Sequence, residues 1–175
     1  MIDLVTISSA KTPEFANLTR KCVESFRATC EGKAIVVEEF ADVSSNADVV
    51  LLQTKPFCYN KCLNDGFKYT EADWICFANN DVEFLPGWAD IIKFDYDSMS
   101  PQNVGWMYHK DLGVDPIEGF GIGVHITGWC IIAKRETIEK IGGFDVDVDF
   151  WCSDNIYAEQ LDFHGLKHAL IPTSH

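Results

Sequence analysis

Apolar residues along the chain fall into short blocks separated by polar turns. Ile2, Leu4, Val5 and Ile7 form the first block, a buried strand closed by Ser8-Ser9. The next block has helical spacing: Phe15, Leu18, Cys22, Val23 and Phe26 recur down one face, with Thr12 placed to cap the helix and Pro13 suited to its first position. Ala34–Val37 and Val49–Leu52 are short apolar runs with polar residues between them, which predicts two buried strands joined by a loop. A helix is expected between Tyr59 and Tyr69, carried by Cys62, Leu63 and Phe67, and then a strand over Trp74–Phe77 that runs into Asn79-Asn80-Asp81.

Beyond that point the pattern predicts a short helix from Pro86-Gly87-Trp88 to about Tyr96 and a strand at Val104–Tyr108. The glycine-rich stretch Gly113–Gly123 has no clear period and reads as a surface loop. Strand Trp129–Ala133, helix Arg135–Ile141, the turn Gly142-Gly143, helix Asp154–Phe163 and strand Ala169–Ile171 complete the order. Strands alternating with helices predict an α/β fold, a mostly parallel central sheet with helices on both faces. With 175 residues, 47% of them hydrophobic, and no repeat or linker, residues 1–175 are expected to form one compact domain.

Charge narrows the partners. With 27 acidic against 14 basic side chains the net charge is −13, which repels nucleic acid and anionic membrane surfaces. A diphosphate meets the same repulsion, so a bound cation would serve it. No apolar run reaches the length of a membrane span, and Met1–Ala10 lacks the basic start and long apolar stretch of a signal peptide; a cytoplasmic protein is expected. The seven cysteines contain no Cys-x-x-Cys pair and read as reduced thiols.

Ligands of open α/β sheets bind at the carboxyl ends of strands, where Asn79-Asn80-Asp81 is expected to lie. On alternate residues of extended chain, Asn79 and Asp81 would point to the same side and share a hard cation such as Mg²⁺ or Mn²⁺. The competing reading is a plain turn, since Asn and Asp favour turns. Asp154 can be a helix cap, and on the residues alone that is the better reading. Trp129, beside Gly128, fits either a strand core or a platform for the apolar face of a sugar. Two patterns fail. Asp145, Asp147 and Asp149 begin like a calcium loop, but Phe150 and Ile156 stand at its sixth and twelfth positions. His164 and His168 are split by Gly165, against a helical zinc pair.

Read with its flanks, the segment from Trp74 through Asn79-Asn80-Asp81 to Pro86-Gly87-Trp88 resembles the metal-binding segment of GT-A glycosyltransferases, in particular the inverting family 2. Asn60-Lys61-Cys62-Leu63-Asn64-Asp65-Gly66 is similar to that family's helix carrying an Asn-x-Gly beside the nucleotide. Gly142-Gly143-Phe144-Asp145, followed by Phe150-Trp151-Cys152-Ser153-Asp154, resembles its Gly-Gly-Phe-Asp segment and the Glu-Asp motif after it. The matches keep the family's order from about Ala34 to His175.

The resemblance implies a GT-A-like, metal-dependent and inverting glycosyltransferase. It would move a sugar from a nucleotide-sugar, a UDP-sugar by preference, to the hydroxyl of a saccharide or other acceptor. Asp81, Asn79 and His175 would hold Mn²⁺ or Mg²⁺, and Asp154 would be the base. Glu38, Asn60, Lys61, Asn64 and Asn80 would contact the donor; Gly128, Trp129 and Trp151 would contact the sugar or acceptor. Asn79 replaces the usual first Asp and Ser153 the usual Glu, departures that favour an alternative, a GT-A-like domain that binds a nucleotide-sugar or glycan without turnover. The chain is also short for the family, which predicts a small acceptor or a site completed by another chain, as in a homo-oligomer.

Overall fold

The computed structural model describes residues 1–40, 46–148 and 150–174. Eight strands form one sheet: β1 (Ile2–Ser8), β2 (Ala34–Glu38), β3 (Val49–Leu52), β4 (Trp74–Asn79), β5 (Ser98–Pro101), β6 (Ile117–Glu118), β7 (Cys130–Lys134) and β8 (His168–Ile171), in the order β3-β2-β1-β4-β7-β5-β8-β6. The α-helices are α1 (Pro13–Thr29), α2 (Tyr59–Phe67), α3 (Arg135–Lys140) and α4 (Ser153–Phe163).

The strands β1 to β4 are parallel neighbours, whereas β7 is antiparallel to both β4 and β5, and β6 is antiparallel to β8. The sheet is thus mixed, and the reversal at β7 has a consequence for the site. Because β7 runs opposite to β4, its first residues lie at the carboxyl end of β4.

Alternation along the strands fills two cores. Leu4, Val36, Cys76, Ala78 and Ile132 face α1 through its Cys22, Val23 and Phe26. Val5, Ile35, Phe77 and Ile131 face the other side, where Leu63 of α2, Ile138 of α3 and Tyr157 and Leu161 of α4 close over them. The helices therefore lie on both faces, as the pattern predicts. α2 comes so close to β1 that a Cβ on Gly66 would stand 2.4 Å from Val5 Cγ1. Asp3 is buried in this half, and its carboxylate accepts the backbone N–H groups of Lys33, Glu71 and Ala72 at 2.8, 2.6 and 2.9 Å.

Five local expectations change, and the first is that Gly113–Gly123 is not all loop, since it carries the two-residue strand β6. Val50 and Leu52 are exposed, because β3 is an edge strand covered on one face only. The buried stripe of α1 begins at Thr19, leaving Phe15 and Leu18 exposed. The segment after Gly87 is a 3-10 helix over Trp88–Lys93. Val104–Tyr108 is not a strand: the strand is Ser98–Pro101, and Asn103 and Gly105 turn the chain into a 3-10 turn at Met107–His109. Both residues are turn formers, which outweighs the apolar run.

Candidate active site

The carboxyl end of β4 is the meeting point. The β4 residue Asn79 donates its N–H to the Trp129 carbonyl at 2.8 Å, so Gly128-Trp129 lies beside it where β7 begins. β4 ends at Asn79, and Val82 N–H closes a turn onto the Asn79 carbonyl at 3.4 Å. Asn79 and Asp81 thus are not successive same-side positions of an extended strand. The turn nevertheless brings both to one cleft of about 670 Å³, which Gly128, Trp129 and Asp154 also line.

The loop that carries Asp81 is fastened on its far side. Phe84 N–H reaches Ser25 Oγ at 3.1 Å, Trp88 is buried and donates from Nε1 to Thr29 Oγ1 at 2.9 Å, and Phe84 and Trp88 pack at 4.5 Å. Gly87 has φ 92°, a left-handed conformation that glycine adopts without strain. The Pro-Gly-Trp turn is therefore an anchor for the loop.

Asp154 occupies the first turn of α4. Cys152, with φ 66°, stands at the N-cap position and makes no side-chain cap bond. One Asp154 oxygen accepts from the Asn155 N–H at 3.1 Å, and Gly128 is near enough that a Cβ there would lie 3.5 Å from Oδ2. A second cavity of about 240 Å³, bounded by Tyr59, Phe144, Phe150 and Trp151, shares Asn79, Gly128 and Asp154 with the first. Asp154 therefore borders both cavities. Trp151 is 82% exposed and edge-on to Phe150 at 5.3 Å.

The other candidates are placed as follows. Tyr59 OH donates to Asn79 Oδ1 at 3.3 Å, and Asn80 Nδ2 donates to Thr19 Oγ1 at 2.9 Å, turning Asn80 towards α1. Asn64 clasps the backbone of Phe144, accepting its N–H at 2.9 Å and donating to its carbonyl at 2.7 Å. Asn60 donates to the Asp145 carbonyl at 2.6 Å and accepts from Ser153 Oγ. Both amides thus join α2 to the Gly-Gly-Phe-Asp segment, and Asn60 joins it to α4 as well. A Cβ on Gly143 would meet Asn64 Oδ1 at 2.7 Å, which accounts for glycine there.

Lys61 forms an ion pair with Asp65 at 2.7 Å and lines a shallow pocket away from the cleft. Glu38 is buried at the end of β2; its Oε1 accepts from Ala10 N–H and Phe40 N–H, both at 3.0 Å, and its Oε2 has no partner among the described residues. Glu38 does not line the cleft. His175 lies outside the described residues.

The electrostatics are one-sided. Asp81, Glu83 and Asp154 line the cleft, and among the described residues its lining carries no Lys, Arg or His. Burial pushes the Cys22 thiol up to about 12, with the negative charge of Asp81 adding to it. The Tyr59 hydroxyl is also held above its ordinary value, first by burial and then by Cys130, Asp154 and Asp81. Among the described residues no three His, Cys, Asp or Glu side chains converge as a metal cluster.

One wall of the cleft was not foreseen. Gln102, Asn103, Trp106, Tyr108, Ile122 and Thr127 form it. Buried His109 holds it together, accepting the Asn103 N–H on Nδ1 at 3.0 Å and bonding the Val124 carbonyl through Nε2 at 3.0 Å. The turn signals Asn103 and Gly105 were the available clue.

The architecture is GT-A-like: parallel strands β1 to β4, an antiparallel strand inserted after them, and a cleft at the carboxyl end of β4. One similar solved structure is GalNAc-T7 with UDP, GalNAc and Mn²⁺, with a TM-score of 0.75 and 11% sequence identity. The match covers 98% of this chain and 42% of that one, so the chain spans less than half the length of that protein. No family profile and no curated protein matches the sequence.

Proposed function

We propose that the chain is a glycosyltransferase that moves a sugar from a nucleotide-sugar, a UDP-sugar by preference, to an acceptor hydroxyl with inversion at the anomeric carbon. The observation that carries this reading is the presence of Asp81, Asn79 and Asp154 in one cleft at the carboxyl end of β4. The GT-A-like fold and the UDP and Mn²⁺ bound to GalNAc-T7 support it.

The donor set suits a hard cation. Asp81 offers a carboxylate and Asn79 an amide oxygen, both oxygen ligands of the kind Mg²⁺ and Mn²⁺ take. The lining is acidic and holds no basic side chain, so a diphosphate there needs an added positive charge. Asp81 and Asn79 would hold the ion, with His175 as a further ligand, and the bound ion would stabilise the charge on the departing diphosphate.

Asp154 acts on the acceptor. Its carboxylate takes the proton from the acceptor hydroxyl as that oxygen attacks the anomeric carbon and the bond to the diphosphate oxygen breaks. One of its oxygens accepts the Asn155 N–H, and Asp154 borders both cavities. Asn60 and Asn64 then serve the donor indirectly, by holding α2 against the segment that leads into α4.

The test is Asp154→Asn. Transfer from a UDP-sugar is expected to fall about 10²-fold to 10⁴-fold with UDP affinity unchanged, and NMR of the wild-type product should show the inverted anomer. Unchanged transfer would remove the base, and a retained anomer would remove the inverting mechanism. Binding of UDP without transfer to any acceptor would favour the non-catalytic alternative, which the Asn79 and Ser153 replacements support.

A further inference from the structure

The stretch of cleft wall that follows β5 presents two aromatic rings in a fixed arrangement. Trp106 is 42% exposed and Tyr108 57% exposed, and their rings meet edge to face at 5.8 Å. The Trp106 indole is tethered, donating from Nε1 to the Gly123 carbonyl at 2.7 Å. The loop beneath is tied by Gln102 Nε2 to the His109 carbonyl at 2.7 Å, in addition to the two bonds made by the His109 ring. An exposed aromatic held by its own polar atom is an ordered contact surface, costing a ligand little side-chain entropy.

The amides of Gln102 and Asn103 line the same cleft beside the two rings. Aromatic rings next to polar side chains match a ligand with C–H faces and hydroxyl edges, which is the make-up of a sugar ring. The acidic lining of Asp81, Glu83 and Asp154 opposes an anionic ligand.

We propose that the acceptor is a neutral saccharide, seated on the Trp106–Tyr108 platform. This rests on the transferase reading for the word acceptor, but the binding site stands on the geometry of the wall. It makes Trp106 and Tyr108 specificity-determining residues. The −13 net charge of the chain acts in the same direction, against anionic glycans.

The experiment uses saturation-transfer NMR and calorimetry on the full chain with cellobiose, lactose, maltose and N,N′-diacetylchitobiose, and with 3′-sialyllactose as the anionic counterpart of lactose. At least one neutral disaccharide should bind, receive saturation on its ring C–H protons, and lose about tenfold in affinity in Trp106→Ala, a loss of the size expected for one aromatic contact. Trp106→Phe should recover most of it, and Tyr108→Ala should weaken the same sugar. 3′-Sialyllactose should bind more weakly than lactose. Circular dichroism confirms that the variants fold, and the Phe variant keeps the test valid if the Ala variant does not.

UDP titration in the presence of Mn²⁺ separates the two readings. UDP binding unchanged in Trp106→Ala, with saccharide binding lost, supports the platform. Saccharide binding that is absent across the panel, or indifferent to Trp106→Ala, overturns it even if UDP binds. Failure of UDP to bind overturns the donor reading and leaves the platform to be judged on the saccharide data alone.

Discussion

The two sides of the cleft are built by different means. The side carrying Asn79 and Asp81 belongs to four parallel strands in register, with alternate residues buried against α1 and α2 and the buried carboxylate of Asp3 pinning the connections beneath. The opposite side, from β5 to β8, uses strands of two to five residues and is held by polar side chains. Tyr157 OH donates to Ser98 Oγ at 2.8 Å, Ser98 Oγ pairs with His168 Nδ1 at 2.9 Å, and His168 Nε2 bonds the His125 carbonyl at 3.1 Å. Apolar packing is insensitive to pH, whereas the bonds made by the buried imidazole of His168 depend on its staying neutral.

The first way to break this contrast is Asp3→Ala. It strips three backbone N–H groups of their buried acceptor and is expected to cost about 3–5 kcal/mol, read as a shift in the urea midpoint at pH 7. A change below 1 kcal/mol, on the order of an exposed substitution, would mean that the carboxylate does not pin the frame.

The second way is acid. Burial lowers His168 from 6.5 to about 4, partly opposed by its bond to the His125 carbonyl. The unfolded chain takes up a proton near the ordinary value and the folded chain only near 4, so the unfolded state binds more protons between them. Stability from the neutral imidazole is complete above about 6.5 and falls as the pH drops towards 4, by about 3 kcal/mol in all. Urea titrations at steps from pH 7.5 to 5, where carboxylates remain largely ionised, should show this slope, and His168→Gln should flatten it. A slope that survives in His168→Gln would move the pH sensitivity elsewhere.

The smallest effect is expected outside both sides. Lys61 pairs with Asp65 on the surface of α2, and Lys68 pairs with the same carboxylate. Lys61→Ala should change stability by no more than about 0.5 kcal/mol and leave UDP affinity unchanged, as calorimetry would show. A large loss of UDP affinity would bring Lys61 to the donor despite its position.

The same contrast explains what was legible beforehand. Strands β1 to β4, β7 and β8 were visible as short apolar runs and helices α1 and α2 by their apolar spacing, and the motif at Asn79-Asn80-Asp81 was visible because it terminates such a strand. The resemblance of the Asn-x-Gly and Gly-Gly-Phe-Asp segments was visible too. What they do locally was not, since the clasp of Asn64 on Phe144 joins residues 80 apart. The wall at Gln102–Tyr108 was misread because Val104, Trp106 and Tyr108 alternate like a strand, while the hydrogen bonds of His109 that decide its path have no signature in periodicity.

The central claim is that the cleft at the end of β4 holds a nucleotide diphosphate through a cation at Asp81. Calorimetric titration with UDP, with Mn²⁺ present and then with EDTA, tests it most directly, repeated on Asp81→Ala. Binding that EDTA abolishes and that Asp81→Ala lacks is expected, with Asp154→Asn binding as tightly as the natural chain. UDP affinity that is the same with EDTA, or the same in Asp81→Ala, would contradict it.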